Sequence, residues 1–321
     1  MDIREIQPST ALPNGRLRLL MEGLDDPSSV SVFVGGLQAD ILGASREAVT
    51  IRVPPADSGE IEVRAKLAAR ARMKIGLVLN DELHPVTNPV VDRHGNVYTT
   101  YSGGRGEEVT FGVFQITPDG DTRPFLADIV NPTGLALGPD GRLYVSSRHS
   151  GEVFATSFDK QVEKFAVGLG LATGLAFDSK GHLFVGDRSG TIARVSPQGE
   201  AEAYCQLEPS VSAYHLAFDP QDNLYVTGPT LATQDCLYRV PPGGEPEILF
   251  RGLGRPQGIG FDPEGNLLVA ASYRGQKGLY SMAGGQPRLL LSGPMLVGFA
   301  YDLERGHLYC VDHSALYRVD L

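Results

Sequence analysis

Tryptophan is absent from this sequence of 321 residues, and cysteine occurs only at Cys205, Cys236 and Cys310. Spacing that wide makes neither a CxxC metal pair nor an even disulfide framework. Cations are scarce as well: 28 Lys and Arg stand against 38 Asp and Glu, a net charge of −10. Such a field repels a polyanion at long range, so nucleic acid is set aside as a partner unless a local basic patch overrides it. No apolar run approaches the roughly 18 residues of a membrane span. The opening MDIREIQPST has no apolar leader segment. A soluble chain is expected, either cytoplasmic or extracytoplasmic behind a leader that this sequence does not contain.

Turn formers are plentiful, with 39 Gly and 22 Pro, so turns are frequent and elements short. The length suits one large all-β domain and a small one. Internal repeats give the organisation. Six segments superpose on an apolar strand, a tight turn and a second strand: NPVVDRHGNVYTT, TGLALGPDGRLYVSS, TGLAFDSKGHLFVGD, HLAFDPQDNLYVTG, QGIGFDPEGNLLVAA and VGFAYDLERGHLYCVD. Their turn residues Gly95, Gly141, Gly181, Asp222, Gly265 and Gly306 are 46, 40, 41, 43 and 41 apart. A strand-rich period of about 42 marks propeller blades or a β-solenoid. Third strands (GEVFATS, GTIARVS, DCLYRVP) and fourth strands (VEKFAV, AEAYCQ, PEILFR) follow each hairpin, which decides for blades. The sixth repeat has three strands only, whereas Met73 to Leu79 reads as a fourth strand with no blade before it. That segment is expected to close the last blade and remove the open sheet edges.

The fold expected is all-β: a six-bladed β-propeller over 75–321, a linker over 67–74, and a small immunoglobulin-like β-sandwich over 1–66, where short strands alternate with Pro, Gly and Asp turns. With no Trp, and no Cys before Cys205, that sandwich lacks the disulfide and Trp core of antibody domains.

The GLAFDxxGxLYV units resemble NHL repeats and the six-bladed propellers of the gluconolactonase and senescence-marker-protein family, over residues 75–321. VFVGGLQADILGASREAVTIRVPP resembles an IPT/TIG module. Propellers host hydrolases, lyases, isomerases and scaffolds, so the site is argued separately. In this fold the loop that opens each inner strand and the loop between second and third strands share one face around the axis. The first set offers Thr87, Thr133, Thr173, His215, Gln257 and Val297, with Asn88, Asn131 and Tyr214 beside them; the second offers Tyr101, Arg105, Arg148, His149, Asp187, Arg188, Tyr273, Arg274, Asp312 and His313.

His215 is the candidate general acid or base, with Asp187 or Asp312 to orient it; the alternatives are a hydrogen-bonded channel histidine and acids that close their own turns. Arg105, Arg148, Arg188 and Arg274 form a basic rim able to hold a carboxylate or phosphate, unless each pairs with a neighbouring acid such as Glu107 or Asp187. Thr87, Thr133, Thr173, Tyr214, Gln257, His149, Tyr273, Asp312 and His313 complete the expected ligand-binding set. His94, His182 and His307 fall in solvent-exposed turns of the opposite face. No G-x-S-x-G elbow is present, which disfavours a serine hydrolase.

The gluconolactonase resemblance implies a divalent cation, calcium for example, held by Glu, Asn and Asp at the inner-strand openings. Here Thr87 stands in place of the Glu, and Thr133, Thr173, His215 and Gln257 in place of Asn and Asp. No metal ligand is therefore assigned, and Asn88 and Asn131 add oxygens only in a shifted register. The leading expectation is a binding propeller for a small, anionic molecule or short peptide, with a protein partner on the N-terminal domain. The alternatives are a lactone or ester hydrolase or lyase, and a non-catalytic interaction scaffold.

Overall fold

A computed structural model describes residues 1–101, 109–127 and 129–321. The protein is all-β; among the described residues helical geometry is confined to two single 3-10 turns. Near the N-terminus two four-stranded sheets face each other. One orders its strands Asp2–Gln7, Arg16–Glu22, Ala48–Arg52 and Asp40–Ala44; the other orders Leu37–Gln38, Ser31–Val34, Glu60–Arg64 and Ala68–Arg72. Period-two alternation explains the packing: in RLRLLME the residues Leu17, Leu19 and Met21 point inward, where they meet Val32, Val34, Val49, Ile51, Ile61 and Val63 in one core.

Six sheets follow in chain order, opening at Val90–Val91, Pro132–Leu137, Ala172–Phe177, His215–Phe218, Ile259–Phe261 and Gly298–Asp302; each is built on four antiparallel strands, and the fifth is extended by two more. These opening strands touch one another in cyclic order, the sixth meeting the first, so the sheets form a closed, propeller-like ring. The sixth sheet takes its outer strand from far upstream, where Leu77–Asn80 pairs with Leu316–Asp320. The hairpin turns have one design. Gly95, Gly141, Gly181, Asp222, Gly265 and Gly306 all have φ between 59 and 83°, a left-handed region that glycine enters without penalty. In the first, the Asp92 carboxylate accepts from the backbone N–H of His94 (2.8 Å) and of Asn96 (2.9 Å) and from the Asn96 amide; Asp178, Asp219 and Asp262 repeat the arrangement.

The expected linker is a correction. Residues 68–72 form a strand paired with Glu60–Arg64, its alternating Ala and Arg placing Ala69 in the interior and Arg70 and Arg72 against Glu62 and Glu60. Met73 belongs to the N-terminal core. Lys74–Ile75 then pairs in parallel with Thr10–Ala11, which pairs in parallel with Leu291–Ser292, so the fifth ring sheet has six strands. The two parts of the chain are thus stitched through a common sheet. Two turn histidines also differ from expectation: His182 and His307 are half-buried beside Asp178 (2.9 Å) and Asp320 (3.2 Å).

Candidate functional site on the ring face

The residues that open the inner strands are drawn close around the axis. A Cβ on Gly134 would lie 2.1 Å from the Thr173 carbonyl oxygen, and one on Gly174 would lie 2.2 Å from that of Tyr214. Only glycine lets the backbones approach so far. The polar side chains at this level bond from sheet to sheet. Thr173 donates to the Gly186 carbonyl at 2.7 Å and accepts from the Tyr214 N–H at 3.2 Å. Ser146 accepts from the Gly134 N–H at 2.7 Å and donates to the Thr173 carbonyl. Thr227 donates to the Gln257 carbonyl, and the Asn88 amide donates to the Ile259 carbonyl at 2.9 Å. Thr133 donates to the Asn131 carbonyl at 3.2 Å. Thr87, Thr133, Thr173 and Gln257 are all buried. Of the hydroxyls read from sequence as ligand donors, Thr173 thus joins neighbouring sheets and Thr133 closes its own opening turn; Thr227, not marked from sequence, joins the fourth sheet to the fifth.

His215 is 2 % exposed. Tyr214 and Leu216 pack with the preceding sheet and Ala217 with the following one, so alternation along the strand sets His215 on the following side, between two sheets. Neither ring nitrogen has a hydrogen-bond partner. Burial pushes its pKa down to about 3, so the imidazole is neutral near pH 7. No carboxylate orients the ring, and a neutral imidazole with so low a pKa accepts a proton weakly. Asp187 instead accepts from the Leu171 N–H at 2.8 Å and from Ser189. Asp312 accepts from the N–H of Ser314 and Ala315 and from the Tyr317 hydroxyl. Tyr214 is buried, its hydroxyl donating to the Glu208 carbonyl.

The rim is different. Arg148 and Arg188 each begin the loop after the second strand of adjacent sheets. Burial, and after it the charge of Arg188, lower the Arg148 pKa from its ordinary value. Arg188 donates to the carbonyls of Val211 (2.8 Å) and Ser210 (3.5 Å), in the loop leading to His215. Arg274 lies 5.2 Å over the Tyr273 ring. Among the described residues neither Arg188 nor Arg274 joins an ion pair, so neither of these two pairs with Asp187. His149 and His313 are exposed. His84, which precedes the first repeat and was not marked by it, sets its ring edge-on to Tyr101. Arg105 and Glu107 lie outside the described residues.

The family described as the SMP-30/Gluconolactonase/LRE-like region matches residues 20–230. The chain belongs to this family. Among solved structures it resembles a gluconolactonase from Xanthomonas campestris at 18% identity and TM-score 0.61, over 77% of this chain and 89% of that one. It also resembles an auxiliary nutrient binding protein from Bacteroides thetaiotaomicron, at 14% identity and TM-score 0.57, over 99% and 97% of the two chains. Virginiamycin B lyase from Staphylococcus aureus matches at 12% identity and TM-score 0.55, over 95% and 99%. These likenesses concern the fold. No curated protein matches.

Membership of the SMP-30/gluconolactonase family raises the question of an axial divalent cation, and the donor set does not fit one. A hard cation needs several oxygen ligands with carboxylate among them. The inner-strand openings supply Thr87, Thr133, Thr173, His215, Gln257 and Val297 and no carboxylate. Asp187 and Asp312 close their own loops. Among the described residues no three His, Cys, Asp or Glu side chains gather as a metal set.

Proposed function

We propose that this member of the SMP-30/gluconolactonase family is a binding protein whose ring face takes a small anionic molecule or a short acidic peptide. In this reading the six sheets are the blades of a six-bladed, NHL-like propeller over 75–321, and the N-terminal sheets are an IPT/TIG-like immunoglobulin module that serves as attachment site for a protein partner. One observation carries it: Arg148, half-buried, and Arg188 follow the second strands of adjacent sheets, near enough for the charge of Arg188 to lower the Arg148 pKa. A carboxylate or phosphate accepts bidentate, charge-assisted bonds from guanidinium groups so placed. The neutral His215 and the lack, among the described residues, of a carboxylate set weigh against hydrolysis. The match of both parts of the chain to a protein described as nutrient binding agrees with this reading.

The test is calorimetric titration with D-gluconate, citrate and an acetylated Asp-Glu dipeptide. Arg148→Met with Arg188→Met is expected to weaken the binding of whichever anion is taken by roughly 10- to 100-fold, the worth of one or two charged hydrogen bonds. Equal affinity in wild type and double variant refutes the site. Family membership favours lactone hydrolysis as the second reading; pH-stat assay of glucono-δ-lactone separates the two, and a rate above the spontaneous one decides for the enzyme.

A further inference from the structure

Where the N-terminal sheets meet the fifth and sixth ring sheets there is a cavity of about 280 Å³. Arg16 and Arg52 line one side of it; Lys277 and His313 line the other, with Asn14 and the buried Ser292 at the seam. No carboxylate lines it. Arg16 and Arg52 stand directly opposite each other in the antiparallel register, where like charges destabilise a sheet. Arg52 leans toward Asp40 at 3.8 Å, and among the described residues Arg16 and Lys277 join no ion pair. A cleft on the other side of the junction is lined by Arg4, Arg18, Arg72 and Arg288, but Arg4 and Arg72 pair there with Glu22 and Glu60, and the carboxylate of Glu5 lines it too. In a protein of net charge −10, uncompensated cations converging from two parts of the chain on a space that size are a local reversal of the field.

We propose that this pocket binds a phosphate group, free or as a small phosphate monoester, clasped by Arg16 and Arg52 from the N-terminal sheets and by Lys277 and His313 from the ring. A compact dianion can meet cations on both walls at once, which a single carboxylate on one wall does not. Asn14, held at φ 66°, and Ser292, whose hydroxyl oxygen accepts from the Arg16 N–H at 2.7 Å, fix the chain that presents Arg16. Because the walls belong to different parts of the chain, the ligand clamps the N-terminal sheets to the ring. This site lies at the edge of the ring face, sharing His313 and the loop after Tyr273 with it, but it contains neither Arg148 nor Arg188.

The experiment is thermal melting of the full chain at constant ionic strength, with sodium chloride replaced stepwise by inorganic phosphate, glucose 6-phosphate or citrate. Phosphate at ten times its Kd is expected to raise the melting temperature by about 2 °C. In an Arg148→Met, Arg188→Met background, which removes any contribution of the ring-face site, the rise is expected to persist, and adding Arg16→Ala or Lys277→Ala to that background is expected to abolish it. In phosphate-free buffer Arg16→Ala is expected to melt no lower than wild type, because it relieves the repulsion with Arg52 while the backbone bond to Ser292 remains. Glucose 6-phosphate acting like phosphate identifies the ester as a source; phosphate acting alone identifies the free ion. No phosphate-specific rise, an equal rise when Arg16→Ala is added to that background, a response to citrate only, or a phosphate-free Arg16→Ala that melts below wild type would each overturn the proposal.

Discussion

Replacing Thr173 by Val tests whether the inner ring hydroxyls serve a ligand or the fold. The two side chains are nearly isosteric, so the change deletes a hydroxyl with little loss of volume. In the structure that hydroxyl donates to the Gly186 carbonyl and accepts from the Tyr214 N–H, at a position 1 % exposed. Valine leaves both backbone groups without that partner, and each buried group so orphaned costs about 1–3 kcal/mol. A total of about 3 kcal/mol corresponds to a melting temperature lower by about 6–12 °C for a ring of this size. Differential scanning calorimetry reads it, with Thr173→Ser, which keeps the hydroxyl, expected to recover most of the loss. Affinity for a ring-face anion should be unchanged at a temperature where both proteins are folded. A Thr173→Val protein that melts with the wild type yet has lost ligand binding refutes the argument and returns Thr173 to the binding set.

The buried His215 makes stability depend on acid. Its folded pKa of about 3 lies below the ordinary value near 6.5, so the unfolded chain binds the extra proton and stability falls as pH drops through the window from about 6.5 to 3. The slope contributed is about 1.4 kcal/mol per pH unit. Urea unfolding at pH 7 and pH 5 is expected to show a smaller pH dependence for His215→Gln than for wild type. A divalent cation is expected to leave the protein unaffected: calcium or a chelator should shift melting by less than 1 °C. Stoichiometric metal after purification, with melting raised by calcium, would bring the lactonase reading forward.

The hairpins were legible because their causes are local. A carboxylate at the start of DRHGN or DPEGN and a glycine with positive φ three residues on define the turn within five residues, and Asp92, Gly95, Asp262 and Gly265 behave accordingly. The order of sheets followed from the period. Where residues meet partners far away in sequence, the pattern said less. AARAR looked like a tether because Ala and Arg have no strong strand preference; only its alternation against EIEVR, with charges matched across the pair, marks the strand. The two-residue strand Thr10–Ala11 carries no periodicity at all, and its parallel partners lie 64 and 281 residues on. At the candidate site, sequence located the residues but not their directions. His215 was read as facing the axis, whereas its neighbours Tyr214 and Leu216 show which side of the strand it must take.

The pairing of Leu77–Asn80 with Leu316–Asp320 has a kinetic side. During synthesis the closing strand is made about 240 residues before its partner, which at 5–20 residues per second is a delay of about 12–48 s. The first five sheets can each assemble from neighbouring hairpins as they emerge, but the ring contacts between the sixth sheet and the first form only after the final strand is made. Until then one end of the array shows an unpaired strand edge, the condition in which β-rich chains join their neighbours. Nascent chains arrested before residue 316 should therefore be far more prone to self-association than chains released after it.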